Sequence, residues 1–330
     1  MVSSEGSSKK YKPFPLHPFL VEAFKEQMGM TEEEVTQPAN VRKIFDLNAA
    51  RINPPKPSNI IEKKIVITQN NIRVEITHIR PAGSENTVLP AILYLHGGGW
   101  VFGSLTTHSP LVYALAQQTP AAIIFVHYSK SPENQYPTAL EECYASLTWM
   151  TENAKSLYID PKRIAVGGDS AGGNLTAALC LLCKERGNKT ITYQILYYPV
   201  LGTDFDTPSY IQHKDNNMVA RHVMKYVWDC YSPPEIREKE IKAVPMNASK
   251  EDLEGLPPTL IVTADYDVLK DEGAAYAKKL IKAGVEVVPV HYIAVQHGYL
   301  TTMDKPQTQA TISQTIDLLK KTWSAGTANL

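Results

Sequence analysis

Cysteine is scarce in this chain, with four in 330 residues. That is too few for a disulfide framework in a chain this long, so the fold must rest on a hydrophobic core. Cys180-Leu181-Leu182-Cys183 has C-x-x-C spacing but sits in an apolar run with no second pair to complete a tetrahedral zinc site, and it reads as core packing. Long apolar runs are also missing. None approaches the roughly 20 residues of a membrane span, and Met1 to Lys12 is polar without a secretory h-region, so a soluble, cytoplasmic protein is expected. The N-x-S/T sequons at Asn174, Asn188 and Asn247 are then chance matches. Net charge is nearly absent, because 33 basic residues face 34 acidic ones, and no basic run interleaved with aromatics suggests a nucleic-acid partner. What the chain does have is 43% hydrophobic residues, enough to bury the core of one large domain.

The pattern of those residues predicts the layers. Glu62 to Thr68 and Ile72 to Arg80 alternate as an antiparallel opening pair. Near-continuous apolar strands follow, at Ala91 to Leu95, Ala121 to His127, Ile164 to Gly167, Tyr193 to Tyr198, Thr259 to Thr263 and Glu286 to Tyr292, separated by helical stretches. Apolar strands between helices imply an α/β fold with a mostly parallel, eight-stranded sheet covered on both faces. The last helix, about Gln309 to Trp323, puts Ile312, Ile316, Leu319 and Trp323 on one stripe.

Chemistry enters at two glycine-rich turns. Gly168-Asp169-Ser170-Ala171-Gly172 follows an apolar strand and precedes a helical run, Asn174 to Arg186, which is the strand-to-helix setting of a nucleophile elbow. A serine hydroxyl needs a sharp turn, a neighbouring base and donors for a developing oxyanion, and small residues at 168 and 172 let the backbone crowd around Ser170. The second turn, His96-Gly97-Gly98-Gly99-Trp100, follows the strand ending at Leu95. Its unshielded N–H groups at Gly98 and Gly99, ahead of Gly97, would form an oxyanion hole with the N–H of Ala171. His96 reads as a structural histidine shaping this loop, Asp169 and Glu133 as hydrogen-bonded supports, and Trp100 and Phe102 as either pocket lining or core.

An acid and a base should follow the serine in that order. Asp265-Tyr266-Asp267 is placed in the loop after the Thr259 to Thr263 strand, leaving Asp267 or Asp265 as the acid. His297, in a post-strand loop beside Gly298, is the base. The other histidines fit less well: His291 falls inside a strand, His213 and His222 in a polar insertion, and His17, His78, His108 and His127 precede the serine.

These motifs resemble the hormone-sensitive lipase family of α/β-hydrolases, carboxylesterases marked by HGGG and GDSAG, and the similarity runs from about Ile60 to Trp323. The resemblance implies a D-P-L-x-D-E stretch at Asp267 to Glu272, which selects Asp267 over Asp265, and an H-G-F stretch at His297-Gly298-Tyr299. Val268 stands in place of the proline, Tyr299 of the phenylalanine, and Tyr128-Ser129-Lys130-Ser131-Pro132-Glu133 in place of Y-R-L-A-P-E. None of these departures removes a catalytic group.

The resemblance also implies a domain plan: a catalytic core at 58–203 and 256–330, with residues 1–57 and the insertion 204–255 forming a helical cap that excludes water and chooses the acyl group. The alternative is that both segments only cover the sheet edge. In the first, Phe19 to Met28 and Val41 to Ile52 are helical, joined by a Thr31-x-x-Glu34 capping box. In the second, a helix from Met218 to Tyr231 aims Val219, Val223, Val227 and Tyr231 at the core or pocket. The expected activity is hydrolysis of small-molecule esters with short to medium acyl chains, without metal or organic cofactor, in a chain that dimerises, if at all, through the edge strand Glu286 to Tyr292. An amide or lactone hydrolase or a long-chain lipase could use the same residues. A catalytically silent ligand-binding member of the fold is opposed by the presence of His297.

Overall fold

In the computed structural model, which describes residues 11–215 and 219–325, Asn70 and Asn71 have φ of 52° and 65° and close a two-residue hairpin that pairs Gln69 with Ile72. Asparagine tolerates this left-handed backbone, and a two-residue turn of that hand matches the strand twist. The hairpin joins β1 (Ile60–Gln69) to β2 (Ile72–Pro81). Six further strands follow: β3 (Leu89–Leu95), β4 (Ala122–His127), β5 (Ile159–Asp169), β6 (Ile191–Tyr197), β7 (Thr259–Tyr266) and β8 (Val287–Gln296). They form one sheet in the order β1-β2-β4-β3-β5-β6-β7-β8. β2 pairs antiparallel with β1 and β4, and every other pairing is parallel. The chain has the eight-stranded, mostly parallel α/β-hydrolase fold that its sequence implied.

Side-chain alternation divides the core between the two faces of this sheet. Ala91, Leu93 and Leu95 of β3 pack with Leu175 and Leu179 of the helix Ala171–Glu185. Ile92 and Tyr94 pack on the other face with Leu111 and Leu115 of the helix Leu105–Gln118 and with Ile312 and Leu319 of the helix Pro306–Ala325. The last helix buries the stripe that its sequence predicted, including Ile316 and Trp323. All four cysteines are buried free thiols, with Cys180 and Cys183 in the first of these layers.

Several boundaries differ from the sequence-based expectation. β7 continues through Tyr266, so Asp265 lies in the strand and not in the loop beyond it. β8 runs on to Gln296, where pairing with Tyr266 resumes after a register shift, and so delivers His297 beside the end of β7. The helix after Ser170 starts at Ala171, three residues early, because the elbow sets its first turn in spite of the poor helix propensity of Gly172-Gly173. The helices Pro18–Met28 and Pro38–Ile52 likewise start early, on prolines that suit a first helical turn. Both bonds of the Thr31/Glu34 capping box form, at 2.8 and 3.3 Å, but they cap a separate helix, Glu32–Val35.

The two segments outside the alternation meet over the loop after β3. Phe14 lies 5.7 Å from Phe102 of that loop and 5.2 Å from Tyr226 of the insertion, ring centre to ring centre. The Tyr226 hydroxyl also donates to the Lys12 carbonyl at 2.6 Å. The insertion helix spans Arg221–Tyr231; its expected start, Met218, lies outside the described residues, as does Met1 to Lys10 of the polar terminus. Val223, Val227 and Tyr231 are buried and Val219 partly so, with Tyr231 stacked on Trp100 at 4.1 Å and 3°. Trp100 is therefore packed in the core beneath the insertion.

Candidate active site

Ser170 follows β5 at the centre of the sheet, Asp267 follows β7, and His297 follows β8, so three side chains far apart in sequence converge at the carboxyl ends of parallel strands. Such ends are where open α/β sheets bind ligands. Ser170 has φ 54° and ψ −119°, a strained conformation for a residue with a side chain. It is held there by its own backbone: its N–H donates to Tyr197 O at 2.9 Å, and its carbonyl accepts from Val200 and Asn174 N–H at 3.1 Å each. A Cβ on Gly172 would collide with the Leu95 carbonyl, so the elbow can lie against β3 only with glycine at that position.

The His297 ring spans the other two groups. Its Nε2 lies 3.0 Å from Ser170 Oγ and its Nδ1 2.8 Å from Asp267 Oδ2. A carboxylate accepts from Nδ1–H, which leaves Nε2 as the acceptor for the serine hydroxyl. Asp267 is fully buried and its second oxygen accepts the Leu269 N–H at 2.9 Å, which fixes the carboxylate plane. The Tyr198 ring packs 4.7 Å from the imidazole. Ser170 and His297 keep 8% and 9% of their surface exposed, whereas Asp267 keeps none. Asp265 points elsewhere, to Lys270 at 3.3 Å and His291 at 3.6 Å. Between the two candidate acids, geometry brings only Asp267 to the imidazole.

The glycine loop faces the serine from β3. Gly98 has φ 112°, and a Cβ there would strike the Phe102 carbonyl. Its own carbonyl accepts the N–H groups of Val101 and Phe102 at 3.0 and 2.9 Å, which folds the loop back on itself. The Gly97 N–H is already committed to Asp169 Oδ1 at 3.0 Å, whereas those of Gly98, Gly99 and Ala171 donate to no protein acceptor among the described residues. Ala171 also opens a 15-residue helix, whose N-terminal dipole favours negative charge.

Supports lie behind this layer. Asp169 accepts from Tyr94 OH at 2.9 Å as well as from Gly97 N–H, and pairs with His108 Nε2 at 3.3 Å. Burial alone would raise the Asp169 carboxyl, but the His108 charge and these three hydrogen bonds hold it below the usual carboxylate range. Burial likewise opposes a charged His108, and Asp169 overcomes it, raising that imidazole above its ordinary value. Each shift favours the charged form of its group. His96 is fully buried, donates from Nδ1 to Gly97 O at 2.7 Å and stacks on Tyr128 at 4.3 Å. Burial pushes its pKa well down, so it is neutral. Glu133 is bound by both terminal nitrogens of Arg42, at 2.9 and 2.6 Å. His108, Tyr94 and Arg42 were missed by sequence reasoning. Preceding the serine excludes His108 as the base but not as a partner of Asp169.

Among the described residues no group of three or more His, Cys, Asp or Glu side chains could hold a metal ion, and no helix is long and apolar enough to cross a membrane.

The alpha/beta hydrolase fold family matches residues 92–301. The carboxylesterase NlhH of Mycobacterium tuberculosis is 38% identical over 213 residues, covering 64% of this chain and 67% of that protein. An esterase of Gibberella moniliformis is 30% identical over 285 residues, covering 84% and 89%. Among solved structures, a fungal esterase from Rhizomucor miehei superposes with a TM-score of 0.84 at 39% identity, covering 94% of this chain and 97% of that one. A thermostable esterase from Pseudomonas putida gives 0.83 at 37% identity, covering 92% and 95%.

Proposed function

The chain belongs to the alpha/beta hydrolase fold family, and from that premise we propose that it is a serine carboxylesterase of the hormone-sensitive lipase type, acting on short- to medium-chain acyl esters through an acyl-enzyme. The observation that carries this reading is the continuous relay from Asp267 through His297 to Ser170, at 2.8 and 3.0 Å, opposite three uncommitted N–H groups. Esterases among its relatives and structural neighbours support the ester-hydrolase class.

In the proposed reaction Ser170 Oγ attacks the ester carbonyl carbon as its proton passes to His297 Nε2. The carbonyl oxygen becomes an oxyanion and accepts from the N–H groups of Gly98, Gly99 and Ala171; each such donor is worth about 3 kcal/mol in the transition state. Collapse of the tetrahedral intermediate breaks the ester C–O bond, and His297 returns its proton to the departing alkoxide. A water molecule then repeats the sequence on the acyl-serine, giving the carboxylic acid and free enzyme. Asp267 holds the imidazole tautomer and stabilises its cation throughout. The segments 1–57 and 204–255 act as the cap. What favours a short acyl group is Val227: a Cβ placed on Gly99 would stand only 2.7 Å from its Cγ1, so the insertion helix rests directly on the oxyanion loop.

The test is hydrolysis of p-nitrophenyl esters from acetate to octanoate, with the matching anilides, by the wild type and Ser170→Ala. Turnover of the shorter esters, lost by about 10⁴-fold or more in the variant, is expected. No wild-type turnover across the series would remove the reading, and faster cleavage of anilides would replace it with an amidase.

A further inference from the structure

The oxyanion loop is anchored from two directions, and the second anchor comes from outside the catalytic core. At its start, Gly97 N–H is held by Asp169 of the elbow. At its far side, Val101 O accepts from Arg42 Nε at 2.5 Å. Arg42 lies on the helix Pro38–Ile52, in the N-terminal segment, 59 residues before its partner. The same guanidinium donates to Ser131 O at 2.7 Å and forks onto both oxygens of Glu133, so all three of its nitrogens are used. Ser131 in turn donates its N–H to Trp100 O at 2.9 Å, which closes a ring of bonds around Trp100 and Val101. The arginine side chain is 21% exposed. Its charge and hydrogen bonds hold the Glu133 carboxyl below the usual carboxylate range, against the burial that would raise it.

The rest of the helix follows the loop. Arg42 and Asp46 fall on one stripe, four residues apart, and Asn53 follows the last residue of the helix. Asp46 accepts from Ser104 Oγ at 2.6 Å, Asn53 donates to Thr106 O at 2.7 Å, and Phe45 stacks on Phe102 at 4.8 Å and 16°. Val101 belongs to the turn in which Gly98 O accepts two N–H groups, so whatever turns the Val101 peptide also turns Gly98. A bidentate, charge-assisted pair has the geometric stiffness to fix that peptide.

We propose that Arg42 is a positioning residue for the oxyanion hole, through which docking of the N-terminal segment sets the aim of the Gly98 and Gly99 N–H groups. The inference rests on the serine-esterase reading of the same site. Its effect belongs in the transition state, because the oxyanion forms only there and needs donors aligned to within a fraction of an ångström, and a misplacement of about 1 Å can cost about 100-fold.

The test compares wild type, Arg42→Ala and Arg42→Lys in kcat and KM for p-nitrophenyl butyrate and in affinity for an alkyl trifluoromethyl ketone, whose serine adduct carries the oxyanion. Arg42→Ala is expected to lose about 10- to 100-fold in kcat and in ketone affinity together, with KM changed less than about 3-fold, and added guanidinium is expected to restore part of the kcat. Unchanged kcat, or a lower kcat with full ketone affinity, overturns the proposal. If Arg42→Ala does not fold, Arg42→Lys decides: a lysine has one donor group for three acceptor sites and should show a smaller parallel loss, and full activity in it overturns the proposal. An inactive wild type sinks the esterase reading and this inference with it, while an active wild type beside an equally active Arg42→Ala sinks the inference alone.

Discussion

Ser170, after β5, and Val227, packed against Gly99 of the glycine loop, are held by different means. Ser170 is fixed by main chain: its N–H is bonded to β6, its carbonyl to Val200 and Asn174, and the glycine beside it lies against the β3 carbonyls. Val227 is fixed by side chains on segments without strands, through Tyr231 stacked on Trp100 and the aromatic contacts of Phe14. Main-chain bonds leave little room for substitution, since a change breaks the elbow. Packing tolerates substitution as long as volume is kept.

That comparison makes measurable claims. The largest effect is expected below the loop: Asp267→Asn should lower kcat by about 10⁴-fold for every ester, because the amide no longer imposes the imidazole tautomer, and a loss confined to one chain length would erase the distinction. Next, Gly98→Val should cost about 100-fold or more in kcat, again irrespective of acyl chain, with circular dichroism used to confirm folding; a variant with full kcat removes Gly98 from the site. Above the loop the effect should be smaller and selective. Val227→Ala should raise kcat/KM for octanoate relative to acetate by roughly 10-fold, and Val227→Phe should reverse it, on the scale of about 1–3 kcal/mol per methylene. An unchanged acyl-chain profile in both would deny the insertion helix a role in selection.

The smallest effect concerns the His108–Asp169 pair. His108 has its folded pKa raised above the ordinary 6.5, so its contribution to stability is fully present below that value and is lost as pH rises through the raised one. Asp169 is depressed, so its share is present at neutral pH and lost only in acid. Between about pH 6 and about pH 9 the wild-type Tm should therefore fall by a few degrees more than that of His108→Gln, which cannot titrate. Equal slopes would mean that the pair is not charged.

The site was legible where its geometry is local. Ser170 stands between an apolar strand and a helix, and Asp267 and His297 stand after later strands, so chain order and strand position were enough to select them; choosing Asp267 over Asp265 needed the family pattern. The reason appears only in three dimensions: β7 runs three residues past the expected end at Thr263 and turns Asp265 toward Lys270 and His291. The ranking of Gly97 behind its neighbours has a similar cause, since Asp169 takes its N–H. His108 and Arg42 carried no signal, because their partners lie 61 and 91 residues away and no periodicity or motif links them.

Sequence alone determined the layers and the places of Ser170, Asp267 and His297 after their strands. Both depend on short-range rules: the spacing of apolar residues decides strand or helix, and a tight turn admits only small residues two positions either side of its serine. Tertiary structure alone decided which N–H groups of the glycine loop are already bonded, which acid meets the imidazole, and that the N-terminal helix holds the glycine loop through Arg42. Those outcomes depend on where distant side chains come to rest once the whole sheet is assembled, and a hydrogen bond formed across 59 residues leaves no trace in the residues between.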